Sequence, residues 1–385
     1  MNEHIYYYPI LKWKKGEYTA LRKLRQEIKD RVCPIIEITP SGYDPETHEN
    51  RVAIMTHIKD IAIRLHKNWD DRESFIDIKN LNVPKEHEPM CINKIFNDCA
   101  SSFCRASPVV HLDDEVQSLD AYKEIIKNQK KDCMLRIKIS EITDGVEDRI
   151  NYILKRLCIT SSEIYLLADL DKLCIEESDE EAIYEILSGQ LFKIFNMFDW
   201  HTIIMAGSSF PNEPTNGASN NRYEWKLYKN FLDKYAILSK ELKFSDYYVL
   251  NPDHSFPIDG KIIKPKAKLR YTTDNGWYFS KPPSKPKIKK DDEQCKEPTG
   301  GEQYKLLCQD LIARPFFRGL SFSKGDEYIY QQAIAANERG GNSTTWIEAS
   351  TNQHITKVVT DLSKLLGFSL RCEQGLLGLL ESTLE

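Results

Sequence analysis

Charged residues recur at the same place in five short apolar runs. "CPIIEIT" (from Cys33) carries Glu37, "SFIDIKN" (from Ser74) carries Asp77 and Lys79, and "SPVVHLD" (from Ser107) carries His111 and Asp113. "CMLRIKIS" (from Cys133) carries Arg136 and Lys138, and "IYLLADLD" (from Ile164) carries Asp169 and Asp171. Successive side chains alternate across a strand, so within each run these polar residues share a face, near its C-terminal end. Glu37, Asp77, His111 and Asp169 are of the types that perform general acid–base catalysis, and Lys79, Arg136 and Lys138 of the types that hold an anionic substrate. The same residues also suit a closed ion-pair network, because an uncompensated buried charge costs several kcal/mol under either reading. Asp169-x-Asp171 and His111-x-Asp113 offer hard ligands for Mg or Mn. Arg136 and Lys138 beside them already neutralise those acids, so no residue is assigned to a metal and no cofactor is named.

A second concentration of polar chemistry lies near the C-terminus, in "GGNSTTWIEASTNQHITKVV" (Gly340–Val359). Ile355, Val358, Val359, Leu362 and Leu366 follow at helical spacing and Gly367 is suited to end the helix, which places the helix at Asn352–Leu366 with Thr351 as N-cap. Asn352 and His354 at a helix N-terminus, with Asn342 and Thr345 upstream and Gly340 and Gly341 allowing close approach, suit a phosphate or nucleotide. The alternative is that Asn352 and His354 tie the loop to the rest of the protein. Trp346 reads as a buried anchor before a base-stacking platform.

The elements that must position these residues alternate. The five runs, with "TIIMAGS" (from Thr202), "YYVLNP" (from Tyr247) and "AKLRYTT" (from Ala267), make eight strand candidates. They are separated by helical patterns at Ile54–His66, Ser118–Asn128, Val146–Leu157, Glu180–Phe195 and Tyr223–Leu238. Such alternation predicts α/β architecture, and eight strands predict a (β/α)8 TIM-like barrel, whose active sites sit at the C-terminal ends of the strands. No phosphate-loop or dinucleotide glycine motif follows any strand. "TDNGW" (Thr273–Trp277) reads as a hairpin turn. Ser280–Glu302 is rich in Lys and Pro with little to bury, and reads as a flexible insertion. Helices follow at Gln303–Ala313, Gly325–Ala336 and Asn352–Leu366, with Ser323 and Asp326 as a capping pair. The expected organisation is a barrel over 1–280, the insertion over 281–302 and C-terminal helices completing the barrel domain over 303–385.

At 385 residues, with 41% hydrophobic residues and a formal charge of -5, the chain can bury a sizeable core and carries no global basic field for nucleic acid. The ten cysteines show no CxxC pair and are mostly apolar-flanked, which suits a reducing cytosol. No stretch reaches the ~20 apolar residues of a membrane span, and the first residues lack a signal-peptide core, so no membrane contact is expected.

"YYPILKWKKGEYTALRKL" (Tyr7–Leu24) followed by "PIIEI", then "NRYEWKLYK" (Asn221–Lys229), "FSDYYVLNP" (Phe244–Pro252), "LRYTT" (Leu269–Thr273), "FSKGDEYI" (Phe322–Ile329) and "GGNSTTWIEASTNQHIT" (Gly340–Thr356) resemble the motifs of the beta protein family, named after a protein of a satellite phage. Lys324 stands where that family usually has Trp, and Gln353 where it often has a first His, leaving His354 without a second histidine beside it. The resemblance implies a cytoplasmic component of bacterial anti-phage defence, with a nuclease or toxin from the same cassette as partner. It carries over no catalytic residue. The expected ligand is a nucleotide or nucleic-acid end; the alternatives are a non-enzymatic sensor or regulator of a partner protein and, with less behind it, a metal-dependent phosphodiesterase or nuclease.

Overall fold

In a computed structural model the described residues are 5–40, 43–44, 49–50, 53–211, 214–219, 221–235, 242–250, 252, 267–282, 300–335, 340–368 and 370. They divide into two compact units: the first holds Met1–Trp13, Lys29–Pro211 and Arg222–Ile258, and the second Lys14–Ile28, Asn212–Asn221 and Asp259–Glu385. The boundary therefore runs elsewhere than the expected 1–280, and the insertion read at 281–302 lies for the most part outside the described residues.

The first unit is built on eight parallel strands in consecutive order: β1 (Ile10–Lys12), β2 (Ile35–Glu37), β3 (Glu73–Asp77), β4 (Arg105–His111), β5 (Cys133–Lys138), β6 (Ile164–Lys172), β7 (Thr202–Ser208) and β8 (Leu242–Phe244). Just before β1, Tyr7 bridges both Val32 and Phe244 in parallel sense. Tyr8 N–H donates to the Phe244 carbonyl at 2.9 Å and Ile10 N–H to the Asp246 carbonyl at 2.9 Å, so the last strand returns to the first and the sheet closes. Closure removes both sheet edges and defines an α/β TIM-like barrel. Its interior is a core of Ile10, Ile35, Phe75, Val109, Met134, Tyr165, Leu167, Ile204 and Ala206.

The eight strands are not the eight that periodicity suggests. β1 has three residues, too few for alternation to register. β8 precedes the "YYVLNP" run, whose Tyr247 and Tyr248 lie in the loop beyond it. "AKLRYTT" forms Leu269–Thr272 of a separate antiparallel sheet in the second unit.

Crossover helices α1 (Ile61–Trp69), α2 (Glu88–Ser101), α3 (Val116–Gln129), α4 (Val146–Leu157), α5 (Glu180–Phe195) and α6 (Tyr223–Lys234) belong to the same unit. In α4 the reasons are plain. Gly145 starts it with φ 85°, Val146, Ile150, Ile153, Leu154 and Leu157 make one buried stripe, and Cys158 ends it in the left-handed region. Each such side chain contributes about 1.5–3 kcal/mol on burial.

In the second unit, Leu269–Thr272 and Trp277–Ser280 form the expected hairpin, with Gly217–Ala218 added to its edge. Thr273 N–H donates to the Gly276 carbonyl at 3.0 Å and closes the turn. Helices α7 (Gly300–Ile312), α8 (Lys324–Ile334) and α9 (Ser343–Leu366) share a core with this sheet that includes Leu269, Tyr271, Tyr304, Leu311, Ile329 and Trp346. The helix Lys15–Arg22 packs along α9, with Gly16 so close that an added Cβ would lie 2.9 Å from Ile347 Cγ2.

Candidate active site at the barrel mouth

Strand register brings the polar residues together. Lys12 pairs with Glu37 and Glu37 with Asp77 across β1, β2 and β3, and His111 pairs with Arg136 across β4 and β5. Each continues the inward face of its strand, one step beyond the apolar core, so Glu37, Asp77, His111, Arg136 and Asp169 form a buried polar layer at the C-terminal ends.

Arg136 is the hub. Its Nη1 donates to Glu37 Oε1 and to Asp77 Oδ2, both at 2.8 Å, and its Nε and Nη2 reach Asp169 Oδ2 at 2.9 and 2.7 Å. Nη2 also meets the Tyr247 hydroxyl, which donates to Asp169 Oδ2 at 2.6 Å. His111 Nε2 lies 3.1 Å from Asp77 Oδ1. Above this layer Lys79 pairs with Asp113 at 2.7 Å and Asp114 at 3.3 Å, and Lys138 with Asp171 at 2.9 Å. Two carboxylates also hold the strand ends: Lys79 N–H donates to Asp77 Oδ1 and Asp171 N–H to Asp169 Oδ1.

Burial alone would neutralise these acids, but their partners decide otherwise. For Asp77, burial is outweighed by the charge and hydrogen bond of His111, by Arg136 and by the Lys79 N–H, which together hold it below the usual carboxylate range. Asp169 is held low in the same way by Arg136 and Tyr247 against burial. Glu37 goes the other way: burial dominates over Arg136 and its pKa is raised. His111 is raised because Asp77, with Asp114, overcomes the cost of burial. The layer thus sets three carboxylates against Lys12, Arg136 and a His111 ring whose charged form Asp77 favours.

A cavity of about 470 Å³ opens over it, lined by Glu37, Lys79, Asn80, His111, Asp113, Arg136, Lys138, Glu141, Asp171, Tyr247 and Pro252. Lys12 and Tyr247 are the members that reading the sequence missed. Lys12 follows Ile10 at inward parity in a strand too short to notice, and Tyr247 lies past the end of its strand.

The C-terminal stretch does something else. The helix begins at Ser343 with Asn342 as N-cap, its Oδ1 accepting from Thr345 N at 3.1 Å, so Thr351 is not the cap and Asn352–His354 lie mid-helix. Asn352, Gln353 and His354 are buried and hold other parts of the second unit. Asn352 Oδ1 accepts from Gly325 N–H at 3.0 Å while its Nδ2 donates to the Ala20 carbonyl at 3.1 Å. The Gln353 amide pairs with both backbone groups of Thr272 at 3.0 Å, as a neighbouring strand would. His354 Nδ1 meets Thr272 Oγ1 at 2.8 Å and its ring stacks on Trp277. Trp346 is buried, stacked on Tyr304 with ring centroids 4.2 Å apart, and donates to the Gly340 carbonyl. The anion site expected of Asn352 and His354 therefore loses its basis: no helix N-terminus is there, and both side chains are used inside the unit. Ser323 caps α8 as expected, accepting from Asp326 N–H at 3.0 Å.

Among the described residues no group of three or more His, Cys, Asp or Glu could hold a metal ion, and no helix is long and apolar enough to cross a membrane.

Fold and mouth together define a TIM-like α/β barrel with a buried polar layer at the C-terminal ends of its strands. The family model described as Beta protein matches residues 7–360, and the chain belongs to that family. Among solved structures it is similar to a type I 3-dehydroquinate dehydratase from Clostridium difficile (13% identity, 66% of this chain and 88% of that one, TM-score 0.37). Two others are the tryptophan synthase alpha-subunit of Pyrococcus furiosus (9%, 63% and 86%, TM-score 0.37) and the YdjI aldolase of Escherichia coli K12 (7%, 95% and 92%, TM-score 0.38). No curated protein matches the chain.

Proposed function

We propose that the protein is a cytoplasmic component of bacterial anti-phage defence whose barrel mouth binds a phosphate-bearing ligand, a nucleotide or a nucleic-acid end. The observation that carries the binding reading is the cavity over the polar layer, with Lys79, Lys138 and His111 in its lining. At about 470 Å³ it is within the range of ligand pockets. The defence setting rests on the family.

Two tiers of charge have different parts. Glu37, Asp77 and Asp169 act as counter-ions that keep Arg136 and His111 charged. Lys79 and Lys138 are available to a ligand because Asp113 and Asp171 are 59% and 38% exposed, and such surface pairs are worth about 0–1 kcal/mol each, although Lys79 also keeps Asp114, whose side chain is buried, at 3.3 Å. A phosphate dianion reaching two ammonium groups and an imidazolium outcompetes them. His111 then serves as proton donor to a bound phosphate oxygen, since its pairing with Asp77 favours the charged ring. A metal-dependent reading has less support, because Arg136, Lys79 and Lys138 already neutralise the carboxylates it needs.

The second reading, a regulator that binds a nuclease or toxin and does no chemistry, is favoured by one observation: the Arg136 guanidinium is occupied on every side by Glu37, Asp77, Asp169 and Tyr247. Calorimetric titration with nucleoside phosphates and a 5′-phosphorylated oligonucleotide separates the two. Lys79→Ala/Lys138→Ala is expected to bind at least ~10-fold more weakly with an unchanged melting temperature. Equal affinity in the variant, or no binding by the parent, ends the ligand reading and leaves partner capture.

A further inference from the structure

A second basic site lies in the first unit, at the other ends of the strands. A cavity of about 610 Å³ is lined by Lys123, Lys127, Lys130 and Lys131, by Ile126, Leu157 and Ile159 as an apolar floor, and by Cys158 and Glu163. Four ammonium groups thus face one carboxylate. That carboxylate is engaged elsewhere, since Glu163 Oε2 accepts from both Thr160 N and Thr160 Oγ1 at 2.9 Å. The nearest acids on α3 are also taken: Asp120 pairs with Arg156, and Glu124 accepts from Asn128.

Among the described residues Lys123, Lys127 and Lys130 form no ion pair, although most lysines at the barrel mouth do. Lys131 is half-buried, and its Nζ reaches only the Cys104 carbonyl, at 3.4 Å. Burial lowers its pKa and Arg105 adds to that, against the opposing pull of Cys99, Cys104 and the neighbouring Asp132. The helix dipole accounts for Lys127, which stands in the last turn of α3. It does not account for Lys123 more than a turn earlier, nor for Lys130 and Lys131 beyond the helix end.

Next to Cys104 stands Phe103. It is 79% exposed and its backbone has φ 59°, a left-handed conformation that a bulky residue adopts at a cost of roughly 1–2 kcal/mol. Lys131, which lines the groove, reaches the Cys104 carbonyl, so Phe103 is one residue from a group the groove touches. A solvent-facing aromatic there, with four lysines in the groove against Glu163, and with Asp132 next to Lys131, points to a ligand with flat faces and negative charge.

We propose that the groove between the ends of α3 and α4 binds single-stranded nucleic acid, with Lys123, Lys127 and Lys130 on the phosphates and Phe103 stacking on a base. Lys123 and Lys127, four apart on α3, follow one another along one face, and Lys130 continues the row at the helix end, a ladder suited to successive backbone charges. A carboxylate-rich peptide is best met by guanidinium forks, and the groove lining has none. The apolar floor and Phe103 suit bases, which every sequence supplies.

The test is fluorescence anisotropy of a labelled single-stranded oligonucleotide at several salt concentrations. Lys123→Gln/Lys127→Gln/Lys130→Gln is expected to weaken binding at least ~10-fold and to flatten the slope of log affinity on log salt by about 2, from three phosphates at about 0.7 each. Phe103→Ala is expected to weaken it at least ~5-fold with the slope unchanged. The labelled oligonucleotide carries no terminal phosphate, so Lys79→Ala/Lys138→Ala, at the barrel mouth, should keep parental affinity and the two sites fail separately. No binding by the parent, an unchanged slope in the triple variant, loss through the barrel-mouth variant instead, or tighter binding of polyglutamate than of the oligonucleotide would each overturn the proposal.

Discussion

Arg136 divides its donors among three carboxylates, and it is the residue whose loss the barrel should feel most. Removing it leaves Glu37, Asp77 and Asp169 buried as like charges without their shared counter-ion. Breaking a buried pair in this way costs about 3–5 kcal/mol. Arg136→Met is therefore expected to lower stability by that amount in urea denaturation, and Arg136→Lys by less, since it keeps a charge but not the fork. Equal stability in Arg136→Met would mean that the acids protonate or rearrange at little cost. The five strand-end charges were legible in the sequence because a period of two leaves few alternatives within a run of five or more residues. The role of Arg136 as hub was not, because parity says which face a side chain takes and nothing about which neighbour it reaches. Lys12 and Tyr247 were hidden for a simpler reason: neither sits in a run long enough to show alternation.

Among the elements, α9 shows where pattern reading stops. Its apolar stripe from Ile355 onward was read correctly, and Gly367 ends it with φ 74° as expected. Its first nine residues were missed because Ser343–Thr351 is rich in hydroxyl side chains with modest helix propensity, which suit a loop or cap equally well. Tertiary contacts decide the matter here. The polar belt of Asn352, Gln353 and His354 is buried, so this helix has no conventional solvent face along that stretch. Where α8 meets α9, Gly325 leaves no room: an added Cβ would lie 2.1 Å from the Ala349 carbonyl oxygen. Gly325→Ala should cost roughly 1–3 kcal/mol by overpacking. Asn352→Ala should cost about as much, by leaving the Gly325 N–H and the Ala20 carbonyl unpaired. Because both changes act on one junction, the double variant should fall short of the sum, which a double-mutant cycle by thermal unfolding would measure. Strict additivity would mean that the two residues act independently.

For the molecule as a whole, buried titratable groups set the dependence of stability on pH. Burial pushes Glu224 up to about 7, against the opposing charge of Arg222 and the hydrogen bond from Ser209. It likewise pushes Asp326 up to about 6 despite hydrogen bonds from Ser323 and Tyr271. A group whose folded pKa is raised stabilises fully below its unfolded value and loses that contribution as pH climbs to the folded one. Glu224 thus loses its contribution between about 4.5 and about 7, and Asp326 between about 3.8 and about 6. His111, also raised, acts in the same direction, losing its contribution as pH rises through its folded value. Asp77 and Asp169, held low, oppose them: their contribution is present above the ordinary carboxylate range and disappears as pH falls through their folded values. Stability should therefore decline from about pH 4 to pH 7, with His111 carrying the decline further, each proton contributing at most about 1.4 kcal/mol per unit, and decline again in strong acid. Urea unfolding at a series of pH values gives the profile. Glu224→Gln and Asp326→Asn should each flatten the alkaline limb and leave the acid limb intact, because neither touches the Arg136 cluster. A parent that gains stability toward pH 8 would show that Glu224 and Asp326 fold as carboxylates, held by Arg222 and by the Tyr271 and Ser323 hydroxyls strongly enough to offset burial.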